Sequence, residues 1–174
     1  MKKVVTWLGI VLTLIIIFAT IEVATQQSER TGANYPQIQI AEDAVASLNS
    51  GTKPTALTTG HVDMNTSLAP FMVVYSKSGQ PISGNGYLDG KLPKAPIGIL
   101  KDAEGKDYHW VSWQPQNGVR IASVTAAANN YYVLSGRSLK QVELNENDTF
   151  WYSFIGGVSS LVVLSVVYVL REKF

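Results

Sequence analysis

The chain contains no cysteine. Disulfides, thiolate metal sites and cysteine nucleophiles are excluded with it. Any folded segment must therefore be held by its own apolar core. Histidine is also scarce: His61 and His109 are isolated, and no HExxH motif or close histidine pair occurs. Ser67, Ser112, Ser123 and Ser138 all stand outside a G-x-S-x-G setting. The glycines around Asn85 and Arg137 lack phosphate-loop spacing. Glu42 and Asp43 are adjacent on a predicted helix and point apart. With no triad, metal or phosphate constellation complete, the sequence predicts neither an enzyme nor a bound cofactor. The formal net charge of +1 has no basic patch behind it, which argues against nucleic acid as a partner.

Uncharged apolar runs, by contrast, stand at both ends. Residues 4–21 read VVTWLGIVLTLIIIFATI, and residues 151–170 read WYSFIGGVSSLVVLSVVYVL. Each approaches the roughly 20 apolar residues that cross a hydrocarbon core of about 30 Å. The first run is longer than a signal-peptide core and lacks an Ala-x-Ala site, so it is read as an uncleaved anchor. The second is apolar on every face, unlike a soluble amphipathic helix. Lys2, Lys3, Arg171 and Lys173 flank the outer ends of the runs, while Glu22 and Asp148 lie on the inner flanks. This bias predicts a two-pass protein of the cell membrane, with both termini cytoplasmic and the middle extracytoplasmic. Trp7, Trp151, Tyr152 and Tyr168 fall where aromatic rings favour the interface.

Three segments follow: a stub and first span (1–24), an outer domain (25–148), and a second span with its stub (149–174). The outer segment is long enough to build one core unaided. Residues 25–34 are polar and are expected to continue the first span as frayed helix or linker. Over 36–48, Ile38, Ala41, Val45 and Leu48 recur at helical spacing, with Ile40 and Ala44 widening the stripe. Asn34 is the expected cap, Pro36 belongs to the first turn, and Gly51 lies beyond the end.

Residues 52–67 read as a connector with at most a short strand or turn. Residues 68–76 alternate as a strand, apolar on both faces and hence central. A turn at 77–80 leads into a short strand from Pro81. The glycines and prolines of 84–105 break up regular structure, leaving room for a helical turn or two after Ile97. Three strands, 107–114, 118–126 and 130–136, then form a meander. Residues 138–147 are expected to be helical, with Ser138 as cap and Leu139 and Val142 on one face. The fold class is α+β: a five-stranded antiparallel sheet flanked by N- and C-terminal helices and tethered by two transmembrane helices.

This order resembles an extracytoplasmic PAS-like or single Cache sensor domain. The segments carrying the likeness are YPQIQIAEDAVASL, SLAPFMVVY, GYLDGKLP, WQPQNGVRIASV and YYVLSGRSLKQVE. The last is similar to the exit from such domains in membrane histidine kinases. The resemblance implies a sensing domain tied to its spans by both terminal helices. Four residues follow the second span, so the expectation is a sensor that lacks its own output domain and acts through a partner. The alternative is an assembly or docking factor for a membrane complex, with no small-molecule ligand.

The candidate ligand-binding set is Arg120, Trp113, Tyr87, Tyr75 and His109. Arg120 interrupts an apolar strand, and a guanidinium grips a carboxylate or phosphate with two parallel bonds. The bland reading is an edge arginine paired with an acid such as Asp107 or lying along Trp113. Trp113 and Tyr87 lie beside Gly/Pro-rich loops. They and Tyr75 suit either a ring-lined pocket or a core. His109 between Tyr108 and Trp110 suits an ordinary sheet histidine as well as a ligand contact. The expected partners are the lipid bilayer, a membrane protein or a second copy, and a small molecule. Gly9 with Thr13, and Gly156 with Ser160, offer small residues at the spacing that permits close helix contact.

Overall fold

The computed structural model describes the backbone of residues 2–173, and side chains apart from those of residues 1–3, 33 and 172–174. The flanking charges Lys2, Lys3 and Lys173 thus lie outside the described side chains. In chain order the elements are α1 (Lys2–Asn49), a 3-10 turn (Pro54–Ala56), β1 (Val62–Asp63), β2 (Phe71–Ser76), β3 (Pro81–Gly84) and β4 (Gly86–Tyr87). Then follow α2 (Ile97–Lys101), β5 (His109–Gln116), β6 (Val119–Ala127), β7 (Tyr131–Ser138) and α3 (Lys140–Lys173). Contacts divide the chain into a helical unit, Met1–Glu29 with Glu143–Phe174, and a sheet unit, Arg30–Val142.

In the sheet unit, five strands form one antiparallel sheet in the order β3-β2-β7-β6-β5. β5, β6 and β7 make the expected meander. β2 is central between β3 and β7, and its first five residues are all buried. Strand alternation separates the two faces. On one face, Phe71, Val73 and Tyr75 of β2 join Trp113, Ile121 and Leu134, and Met64, Leu100 and the 88–99 segment cover them. On the other, Met72, Val74, Val124 and Val133 pack under Ala41, Ala44 and Leu48 of α1. Leu139, just before α3, and Val142, in its first turn, cover Ala122 on that same α1-side face.

The first face accepts Phe71 because glycines lie against its ring. A Cβ on Gly136 would come within 2.8 Å of both Phe71 Cζ and Ile121 Cγ2, and one on Gly86 would overlap the ring outright. The parallel pair β1–β4 is outside the main sheet and is held at Val62–Gly86 and Asp63–Tyr87.

Two sequence expectations need correction. Pro36 does not open a new helix after an Asn34 cap, because it lies inside α1. The residues before it, TGANY, are poor helix formers, so tertiary packing of Ala41, Ala44 and Leu48 on the sheet, rather than propensity, supports the helix beyond the proline. The cost is one amide, the one that would have bonded the Gly32 carbonyl. β5 also does not stop at Gln114. It runs to Gln116, with an extra residue between Trp113 and Gln116 relative to β6. A proline is tolerated there because β5 is an edge strand and the site is a bulge. The turn shrinks to Asn117 and Gly118, the latter at φ +79°.

The helical unit holds two helices long and apolar enough to cross a membrane. Side chains such as Val5, Ile16, Val163 and Val167 are exposed along them, as a lipid-facing surface requires. Gly156 and Gly157 approach Phe18: a Cβ on either would be 3.4 Å or 3.7 Å from its ring. Trp7 and Tyr168 pack tilted, with ring centroids 6.0 Å apart. Two grooves lie in this unit. One, of about 540 Å³, is lined by Phe18, Glu22 and Phe154 among others. The other, of about 360 Å³, includes Trp7, Tyr168 and Arg171. Neither is lined by a residue of the sheet unit.

Candidate functional site

The five residues singled out from the sequence fall in three places. Tyr75 and Trp113 belong to the same core layer under α2, on strands separated by β6 and β7. Tyr75 is fully buried, and its hydroxyl donates to the Pro93 carbonyl at 2.9 Å. Burial pushes that phenol well above its ordinary pKa. Trp113 is 7% exposed and sits opposite Ile121 in the β5–β6 register. His109 lies on the same face of β5, paired with Thr125. Its Nε2 is 3.8 Å from Asp102 Oδ2, a partly exposed contact that contributes little.

Tyr87 lies in β4 and stacks on His61, with ring centroids 4.3 Å apart and planes 6° from parallel. Beneath this stack a polar cluster fixes the loop after β1. Asp63 Oδ1 accepts from the Asn65 amide at 3.0 Å, and its Oδ2 accepts from Thr66 Oγ1 at 3.1 Å. The Asn65 amide bond is the main reason the Asp63 carboxyl is held below its ordinary range. Asn65 Nδ2 donates to Asp89, and Gln116 Nε2 donates to Asn65 Oδ1 at 2.6 Å. These bonds tie the loop to the end of β5.

Arg120 is separated from the others. It sits in β6 between Val119 and Ile121, which belong to the Trp113 layer. Alternation therefore puts Arg120 on the α1-side face, where it is exposed. The structure puts Tyr75, Trp113 and His109 on one sheet face without bringing Tyr75 and Trp113 together, and sets Arg120 on the reverse side. Among the described residues no group of three or more His, Cys, Asp or Glu side chains could hold a metal.

The α1-side face also carries a polar set that sequence reasoning missed. Gln37 and Ser135 are both fully buried, and Ser135 Oγ donates to Gln37 Oε1 at 2.8 Å. Gln37 Nε2 and the Nε of Arg137 are buried without a hydrogen-bond partner. The signal was present in α1. Gln37, Ala41, Ala44 and Leu48 follow one helical stripe, and a glutamine on an apolar stripe marks a buried polar contact.

The Tyr132 hydroxyl donates to Glu104 Oε1, which, with added burial, raises its pKa to about 12. Lys77 Nζ lies 4.2 Å above the Tyr132 ring.

No protein-family model, curated protein or solved structure matches this chain.

Proposed function

We propose that this chain is a membrane-anchored protein that presents its sheet unit outside the cytoplasm as a ligand-binding, sensory domain of PAS-like or single Cache type. It acts through a partner protein and has no catalytic step of its own. One observation carries this reading. The helices containing the two apolar runs also provide the cover for one sheet face, through Ala41, Ala44 and Leu48 of α1 and Val142 of α3, with Leu139 just before α3. A ligand that changes packing on that face acts on both helices at once. It does so only if it binds two arrangements of the face unequally.

The test is a thermal-unfolding screen of the full chain in detergent against amino acids, organic acids, inorganic phosphate and amines. A saturable rise in melting temperature with one class supports the sensory reading. Silence across the whole panel removes it.

A second reading, a docking or assembly factor, draws on a different observation. β5 is an edge strand, and its Trp110 is 47% exposed beside Tyr108. An open edge with an exposed indole suits addition of a partner strand. Cross-linking in membranes separates the two readings. A stoichiometric partner lost in Trp110→Ala, with no response to any ligand, selects docking.

A further inference from the structure

Donors without acceptors gather on the α1 side of β7. Gln37 is buried, with its Oε1 taken by Ser135 and its Nε2 unpartnered. Arg137 follows Ser135 by two positions in β7, so both lie on the same sheet face, roughly 7 Å apart along the strand. The Arg137 Nε is buried and unpartnered as well. An orphaned amide donor is costly in a packed seam, and an orphaned donor on a permanent cation is costlier. Both lack an acceptor, and the guanidinium is best matched by an anionic one.

We propose that Arg137 and Gln37 form a binding site for an oxyanion, the carboxylate or phosphate group of a small ligand. Ser135 orients the Gln37 amide. The guanidinium offers planar, paired donors that match either group, and the glutamine amide adds a third donor. Both orphan atoms are shielded from solvent, so an anion reaches them only as α1 shifts on the sheet. Binding therefore favours the shifted arrangement, which is the unequal affinity that signalling through α1 needs. The inference rests on the ligand-binding reading above and gives it a ligand class. The site is on the opposite face from Tyr75 and Trp113.

The test uses the full chain in detergent. Melting temperature is followed against sodium acetate and inorganic phosphate, with sodium chloride at matched ionic strength as reference. The expected result is a saturable rise of about 5 °C with acetate or phosphate and none with chloride. Which of the two acts distinguishes a carboxylate from a phosphate ligand. Arg137→Gln abolishes the rise, and Lys101→Gln, an exposed cation elsewhere, keeps it. Should Arg137→Gln fail to fold, hydrogen exchange on the unaltered chain decides. The effective anion must change amide protection around Gln37 and Arg137. An unchanged response in Arg137→Gln, a response lost in Arg120→Gln instead, or no response to either oxyanion overturns the proposal. A rise with amines alone overturns it too, yet leaves the ligand-binding reading standing.

Discussion

Ser135 on β7 donates a hydrogen bond from its hydroxyl to Gln37 Oε1 on α1, across 2.8 Å, in a layer that also holds Ala41, Val74 and Val133. Apolar packing alone leaves a helix free to slide along a sheet. One directional bond inside that packing sets the register of α1 on β7.

The pair behaves asymmetrically under mutation. Ser135→Ala leaves the Gln37 amide buried with no partner and is expected to cost about 1–3 kcal/mol. The double variant Ser135→Ala, Gln37→Leu removes both polar groups and recovers most of that loss. Chemical denaturation of the two single variants and the double variant gives the coupling. Additive losses would mean the contact holds nothing.

Glycines separate by what surrounds them. Gly136→Ala drives a methyl into Phe71 and Ile121 and is expected to cost about 1–3 kcal/mol through overpacking. Gly98, inside α2, has nothing within 4 Å of a built Cβ and no left-handed backbone. Gly98→Ala should therefore stabilise, by up to about 1 kcal/mol. Opposite signs in one unfolding assay check the packing of the loop-side layer.

Much of the sheet was legible because burial on two faces leaves a plain trace. FMVVY cannot be half exposed, and β2 is a buried interior strand between β3 and β7. The turn glycines and asparagines likewise set off β6 and β7. What was not legible depended on neighbours distant in sequence. Pro36 reads as a helix start when only local rules apply, yet helix on both sides absorbs one lost bond. Pro115 reads as a turn until its strand is known to be an edge. The positions of Arg120 and Arg137 on the α1-side face follow from strand parity, which only the register reveals. The ring of Tyr75 reads equally as core or pocket until Pro93 is seen to accept its hydroxyl.

Trp110 and Trp113 should respond differently to truncation. Trp113 is buried in the core layer, so Trp113→Ala is expected to cost about 3–5 kcal/mol. Trp110 is half exposed on the edge strand, and Trp110→Ala should stay within about 1 kcal/mol. Thermal or denaturant unfolding measures both. Equal losses would contradict the assignment of their faces.

The pH profile has two identifiable limbs. Tyr132 rises from the ordinary 10 to about 12 in the folded chain, first because it donates to Glu104. The folded state thus favours the neutral phenol. Stability is intact below pH 10 and falls as pH climbs toward 12. Tyr132→Phe should flatten that limb, leaving the part due to buried Tyr75, whose pKa is also raised. Asp63 works in the opposite sense. Its carboxyl is depressed from 3.8 by the Asn65 amide, so its contribution is present above that value and is lost as pH falls below it. Asp63→Asn should remove this part of the acid limb, as read by unfolding midpoints across pH.

The absence of cysteine makes the orientation directly measurable, since one introduced thiol is the only thiol. Ser78 is exposed in the turn between β2 and β3, and Arg171 is exposed near the end of α3. If the positive flanks face the cytoplasm, a membrane-impermeant maleimide added to intact cells labels Ser78→Cys. It should label Arg171→Cys only after the membrane is opened. Neither substitution touches the core, so fold loss does not confuse the reading. The reverse pattern would put the sheet unit inside the cell, and an extracytoplasmic sensor would no longer be tenable.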